Sequence, residues 1–346
     1  MSLGSIAFLG SGETSLAGGR VFEQIAKQID APLRIALLET PAGFELNSSQ
    51  VAGRVGDFLK TRLQNFNPQI DIIPARKKSS AFSPDDPEIC APLLHANLIF
   101  MGPGSPTYAI RQLSGSLAWD IIRARQRLGA ALVFASAATV AVGAFGLPVY
   151  EIFKVGMDVH TVPGLDFFAD FATPLSFVPH WNNTDGGDDV DTSRCFIGMD
   201  RFVQWCNLLH GGHTTVGLDE HTGIIINLEK DEIQVVGVSS VSLARECDPK
   251  IFPSGTTFPL RELGPLSLPD AAAGIPPPIW ELVRSAPPPA PVIDDLPPAE
   301  ALHLAAERQS ARERKEWAAA DEYRRQIAAL GWTLQDTPDG PKLAKS

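Results

Sequence analysis

Five short apolar runs dominate the first part of the chain: Ile6-Ala7-Phe8-Leu9, Leu33-Arg34-Ile35-Ala36-Leu37-Leu38, Ile70-Asp71-Ile72-Ile73, Leu98-Ile99-Phe100-Met101 and Ala131-Leu132-Val133-Phe134. Between them lie stretches such as Val51 to Phe66 and Leu117 to Leu128, in which apolar residues recur at helical spacing. A strand followed by a helix must find its hydrogen-bonding neighbour through a crossover, so the alternation predicts a mostly parallel sheet with helices on both faces. Two later runs, Gly223 to Leu228 and Ile233 to Val238, are split by Glu229-Lys230-Asp231-Glu232 and predict an antiparallel hairpin at one end of that sheet.

The prolines divide the chain. Of 29 prolines, 14 fall between Pro249 and Pro298, including the triplets Pro276-Pro277-Pro278 and Pro287-Pro288-Pro289. Repeated proline removes backbone donors and fixes φ, so residues 261–298 are expected to form an extended linker. It would separate an α/β body, residues 1–260, from a tail module, residues 299–346. In the tail, Leu302, Ala305 and Ala306, then Trp317, Ala320, Tyr323, Ile327 and Leu330, predict a helical hairpin, and Gly331 its stop. Trp332-Thr333-Leu334-Gln335 reads as a strand running into the turn Asp336-Thr337-Pro338-Asp339-Gly340.

Charge limits the partners. The net charge is −11, with 29 Lys+Arg against 40 Asp+Glu, and the segment from Glu300 onward is neutral, so the body carries all of the excess acid. Domains built to grip phosphate backbones have basic faces, which excludes nucleic acid for the body. Four cysteines without metal-ligand spacing do not form a disulfide scaffold and fit a reducing, cytoplasmic location. The start, MSLGSIAFLG, lacks the basic region of a signal peptide, and no apolar run is long enough to span a membrane.

The sharpest chemical candidate stands at the end of the fifth run, where Phe134-Ala135-Ser136-Ala137-Ala138-Thr139 turns a buried strand into a small-residue helix. A serine at such a junction is projected outward beside the N–H groups of a helix N-terminus, the arrangement of an α/β-hydrolase nucleophile. The same position also suits a plain helix N-cap.

Four segments, in this order, resemble the peptidase E and cyanophycinase family of serine hydrolases. They are Phe8-Leu9-Gly10-Ser11-Gly12-Glu13-Thr14, Ile99-Phe100-Met101-Gly102-Pro103-Gly104-Ser105-Pro106-Thr107, Ala135-Ser136-Ala137-Ala138, and Val216-Gly217-Leu218-Asp219-Glu220-His221-Thr222-Gly223. The resemblance covers roughly residues 5–245 and implies a class I glutamine amidotransferase-like fold, a flavodoxin-like three-layer sandwich. It also implies the nucleophile Ser136, the base His180 in Val178-Pro179-His180-Trp181, and Glu151 in Val149-Tyr150-Glu151 as the carboxylate that orients the base. Backbone N–H groups of Gly104 and Ala137 would form the oxyanion hole. The substrate expected from the resemblance is a small peptide or isopeptide next to an acidic residue, for which Ser105, Arg111 and Lys154 are the candidate contacts. A homodimer is the oligomeric state it suggests. Pro103 stands where the family carries a glycine, and Phe134 and Ala138 where a nucleophile elbow carries glycines; these departures favour an alternative, a non-catalytic amidotransferase-like binding module.

Other patterns carry less. Gly10-Ser11-Gly12-Glu13 lacks the further glycines or the lysine of a phosphate-binding loop. His210-Gly211-Gly212-His213 holds its histidines on a spacer with no fixed ligand geometry, and Asp185-Gly186-Gly187-Asp188-Asp189-Val190-Asp191 lacks the closing glutamate of a calcium loop. No metal and no cofactor is expected.

The tail has a resemblance of its own. Ala306-Glu307-Arg308-Gln309-Ser310-Ala311-Arg312, the run Trp317 to Ile327, Leu330-Gly331-Trp332 and Asp336-Thr337-Pro338-Asp339-Gly340 look like the extreme C-terminal module of cysteinyl-tRNA synthetases. The resemblance implies a tRNA- or protein-docking role. Arg308, Arg312, Arg314, Arg324 and Arg325 are the candidate RNA contacts, and from Glu300 onward eight acidic residues balance eight basic ones.

Overall fold

A computed structural model describes residues 3–29, 32–209, 212–245, 248–286, 298–337 and 340–345. The chain forms two compact units, Met1–Pro287 and Pro288–Ser346.

The first unit is built on an eight-stranded sheet. The five apolar runs form β1 (Ile6–Leu9), β2 (Arg34–Leu38), β3 (Gln69–Ile73), β4 (Leu98–Met101) and β5 (Ala131–Ala135). They pair in parallel in the order β1-β5-β4-β2-β3. The expected hairpin is present as Thr222–Asn227 and Glu232–Gly237, antiparallel to each other and docked beside β1. Its outer neighbour is the short strand Thr257–Phe258.

Successive side chains on a strand point to opposite faces, and the core divides accordingly. Ile6, Phe8, Ile99, Met101, Leu132 and Phe134 belong to one apolar cluster, whereas Ala7, Leu9, Leu98, Phe100, Val133 and Ala135 belong to the other. The second face is covered by the helices Leu16–Ala26 and Ser48–Arg62, through Val21, Phe22, Ile25, Val55 and Leu59. The first face receives the helix Leu117–Arg127 and a four-stranded sheet that the sequence does not announce. That sheet runs Asp248–Pro253, Ser240–Arg245, Thr214–Leu218, Leu175–Val178. The last two strands are parallel, with Val178 opposite Gly217. Phe177 of this sheet stacks on Phe8 of β1, ring centroids 4.1 Å apart, joining the two sheets at the centre of the core.

The expected linker divides differently. Leu260, Leu263, Ile275 and Val283 are buried in the main core, and the helix Pro277–Arg284 belongs to the first unit. Proline fits here because it begins this helix, where a missing N–H has no partner to lose. Residues 287–297, with the second proline triplet, lie outside the described residues.

The second unit consists of the helices Ala299–Glu313 and Trp317–Ala329 and the paired strands Trp332–Thr337 and Gly340–Lys345. Ala301, Ala305, Ile327, Trp332 and Leu334 form its core. Leu302 and Trp317, expected on the inner stripe, are 54% and 60% exposed. Ala305, Ala320 and Ile327 are buried as expected, and on the first helix Ala301 takes the inner position expected of Leu302.

Candidate active site

The junction after β5 is a tight elbow. Ser136 has φ 51° and ψ −116°, and the helix Ala137–Ala141 starts immediately after it. A non-glycine residue held in so sparse a region costs about 1–3 kcal/mol and persists only where its surroundings over-determine it. Here the Ser136 N–H donates to the carbonyl of Leu9, at 3.2 Å. Phe134 replaces a glycine two residues before the elbow without obstruction, because its ring turns inward against Phe8, centroids 5.5 Å apart. Ala138, on the other side, is fully buried.

His180 follows the strand Leu175–Val178 of the smaller sheet. It has φ 50°, and its N–H donates to the carbonyl of Gly10, at 3.3 Å. Its Nε2 lies 3.0 Å from Ser136 Oγ. The structure therefore brings Ser136 and His180 together, as expected.

It does not bring Glu151 to His180 in the expected way. The contact to Nδ1 is made by Glu220, whose Oε1 lies 3.0 Å away. The parallel register explains this placement. Val178 pairs with Gly217, so the two chains leave the sheet side by side and carry His180 and Glu220 to the same edge. The same Oε1 accepts from Asn183 Nδ2 at 3.0 Å, and the Glu220 N–H donates to Asn182 Oδ1 at 2.8 Å. Burial pushes the Glu220 carboxyl upward. Hydrogen bonds from Asn183 and His180 and the nearby charges of His180 and His221 outweigh it, leaving the carboxyl below its usual range. Glu151 instead accepts from Thr107 Oγ1 at 2.6 Å.

If Nδ1–H donates to Glu220, Nε2 is left as an acceptor aimed at the Ser136 hydroxyl. That is the tautomer a base requires.

Gly104 lies on the loop after β4 with φ 145°, and a Cβ there would run into the Pro41 carbonyl. Gly104 and Ala137 line the same cavity as Ser136, and Pro103 does not. The N–H of Ala137, first residue of its helix, has no carbonyl one turn before it to bond. The cavity measures about 250 Å³ and is closed on one side by Cys195 and Phe196, the latter ring 5.3 Å from that of His180. Burial and then the Glu220 charge push the Cys195 thiol up to about 12, so it is no rival nucleophile. A second cavity of about 500 Å³ is lined by Ser105, Arg111 and Glu151, and Tyr150 borders both. Lys154, the remaining candidate contact, is exposed, lines neither cavity and stands over the Phe153 ring.

The glycine loop after β1 has a structural task. Gly10 passes so close to Asp219 that a Cβ would meet its carbonyl, and Ser11 Oγ accepts from the His221 N–H. Asp191 caps the helix Met199–Asn207 through the Met199 N–H rather than facing its acidic neighbours. Among the described residues no cluster of His, Cys, Asp or Glu is arranged to hold a metal. His210 lies outside them. No helix among the described residues is long and apolar enough to cross a membrane.

The chain matches no model of a known protein family. Its fold is similar to that of a peptidase from an acI-B1 actinobacterium, with a TM-score of 0.60 at 18% identity, over 75% of this chain and 98% of that one. A putative peptidase E protein from Listeria monocytogenes superposes with a TM-score of 0.44 at 14% identity, over 69% of this chain and all of the other. In sequence, 49 residues are 45% identical to a cysteine–tRNA ligase of Methanosarcina mazei, and 48 residues are 44% identical to that of Chlamydia felis. The chain spans about a tenth of the length of these relatives, 10% in each case.

Proposed function

We propose that the protein is a serine hydrolase that cleaves a peptide or isopeptide bond in a small substrate. The observation that carries this reading is the unbroken line Ser136 Oγ, His180 Nε2, His180 Nδ1, Glu220 Oε1, each contact at 3.0 Å, opening on a cavity. Ser136 attacks the carbonyl while Nε2 takes its proton. The imidazolium so formed is stabilised by Glu220. The N–H groups of Gly104 and Ala137 face the oxygen on which charge develops. His180 then returns the proton to the leaving amine, and a water activated by the same Nε2 releases the acid from Ser136. A cavity of about 250 Å³ suits a small substrate. Arg111 in the adjoining cavity is the cation available to an acidic one. The likeness to an actinobacterial peptidase supports the reading at the level of fold.

A fluorophosphonate probe should label the intact protein at Ser136, and Ser136→Ala should abolish the labelling. An unlabelled wild-type protein removes the hydrolase reading and leaves that of a binding module.

The C-terminal unit carries a second, separable proposal. The 45% identity over 49 residues to a cysteine–tRNA ligase supports a docking role toward tRNA or protein. Arg314 and Arg325 are engaged with Glu316 and Glu322, so RNA phosphates would have to replace those carboxylates. A gel shift of the full chain with tRNA tests the RNA form, and binding that does not weaken with salt would count against it.

A further inference from the structure

Glu151 is a partly buried carboxylate that stands away from the Nδ1 contact of His180, yet it is tied into the loop that holds Gly104. Thr107 Oγ1 donates to Glu151 Oε1 at 2.6 Å, a short charge-assisted bond. Having spent its only hydrogen there, the Thr107 hydroxyl accepts from Ser105 Oγ, 3.1 Å away. Ser105 Oγ in turn accepts from the Tyr108 N–H, and the Ser105 N–H donates to the Pro41 carbonyl. The Tyr108 N–H and the Ser105 and Thr107 hydroxyls each point their hydrogen along the chain toward the carboxylate. Gly104, directly before it, is wedged against Pro41 at φ 145°, while the Gly102 carbonyl accepts from the Ala138 N–H of the elbow helix at 3.3 Å. The other oxygen, Oε2, is buried and has no hydrogen-bond partner among the described residues. A buried carboxylate oxygen without a partner calls for an explanation.

We propose that Glu151 is a positioning residue: through Thr107 and Ser105 it fixes the backbone of the Gly104 loop so that the Gly104 N–H faces the carbonyl attacked by Ser136. It acts on the oxyanion side of the site, not on His180. The kinetic part of this inference rests on the hydrolase reading above, and the structural part does not.

Two measurements on the full-length protein test it. Amide hydrogen exchange over residues 104–109 should be faster in Glu151→Ala and in Thr107→Val than in the wild type. It should return toward wild-type rates in Glu151→Gln, whose amide oxygen still accepts from Thr107. Unchanged exchange in Glu151→Ala overturns the inference whether or not the protein reacts with any probe. In the second measurement, the rate of fluorophosphonate labelling in Glu151→Ala should fall roughly ten- to hundredfold, the scale of a displaced reacting group. The pH at which labelling is half-maximal should stay that of the wild type. Labelling at the wild-type rate, or a displaced pH midpoint signalling coupling to His180, overturns the inference. A wild-type protein that does not label sinks the hydrolase reading, and the exchange data then decide the loop's anchoring alone.

Discussion

Glu220 approaches His180 from a neighbouring strand of the same small sheet, its Oε1 3.0 Å from Nδ1 and 3.0 Å from the amide nitrogen of Asn183. One carboxylate oxygen thus serves the imidazole and is itself held in place. Glu220→Gln keeps the shape but removes the negative charge and can reverse the donor at Nδ1. Reaction with a fluorophosphonate should slow by roughly 10²–10⁴-fold, the loss seen when a base is left in the wrong tautomer. Labelling rates of the two proteins, compared at one pH, give the answer.

The same carboxyl links stability to pH. Its folded-state pKa lies below its ordinary value of 4.5, so the unfolded chain binds the proton more tightly. The stability it contributes is complete above the ordinary value and is lost as pH falls through the lowered one. Urea unfolding of wild type and Glu220→Gln should therefore show a gap at neutral pH that narrows on acidification below 4.5. A gap that is constant or widens would contradict the assignment of these hydrogen bonds to the ionised form.

The elbow stores backbone strain. Ser136→Gly places at φ 51° a residue that accepts positive φ, and should stabilise the protein by about 1 kcal/mol while removing the hydroxyl. The expected rise in Tm is roughly 2–4 °C for a unit of this size. Ser136→Ala loses the hydroxyl without gaining the freedom, and its Tm should stay near that of the wild type. The two variants melted side by side separate strain from chemistry.

Cysteine chemistry offers a counter-test. Burial lifts the Cys90 and Cys195 thiols to about 12 each. Iodoacetamide at about pH 8, where an ordinary thiol is partly ionised, should leave both untouched in the folded protein. Peptide mapping of the alkylated protein before and after unfolding gives the result, and rapid modification of Cys195 would reopen the identity of the nucleophile.

The alternation of apolar runs and helical stretches was enough to read the parallel sheet, since β1, β2, β4 and β5 are continuous apolar runs buried along almost their whole length, with β3 at the half-exposed edge. Ser136 was legible for the same reason: a strand that breaks into Ala-Ala-Thr leaves its serine at a turn. His180 came from the family resemblance, and its place just beyond an apolar run agreed with it. Glu220 was passed over in favour of Glu151 because its partnership with His180 is made between strands, not along one. The available signal was that Phe177-Val178 and Gly217-Leu218 are two apolar runs, each followed within two residues by His180 or Glu220. Read as parallel neighbours, they carry the two side chains to one edge. The packing of residues 260–285 onto the body was hidden by the prolines, whose density signals a linker even where single apolar residues between them reach the core.

Ser136 and His180 come from different sheets, yet their backbone N–H groups hang from consecutive carbonyls, Ser136 on Leu9 and His180 on Gly10. Slow breathing of one sheet against the other would drive most cross-sheet pairs apart. This pair hangs from two adjacent peptide units, Leu9–Gly10 and Gly10–Ser11, so a shift of that segment carries both members together. The distance between the two side chains is thereby referred to one short stretch of backbone, with Leu9 and Gly10 as the ruler against which it is kept.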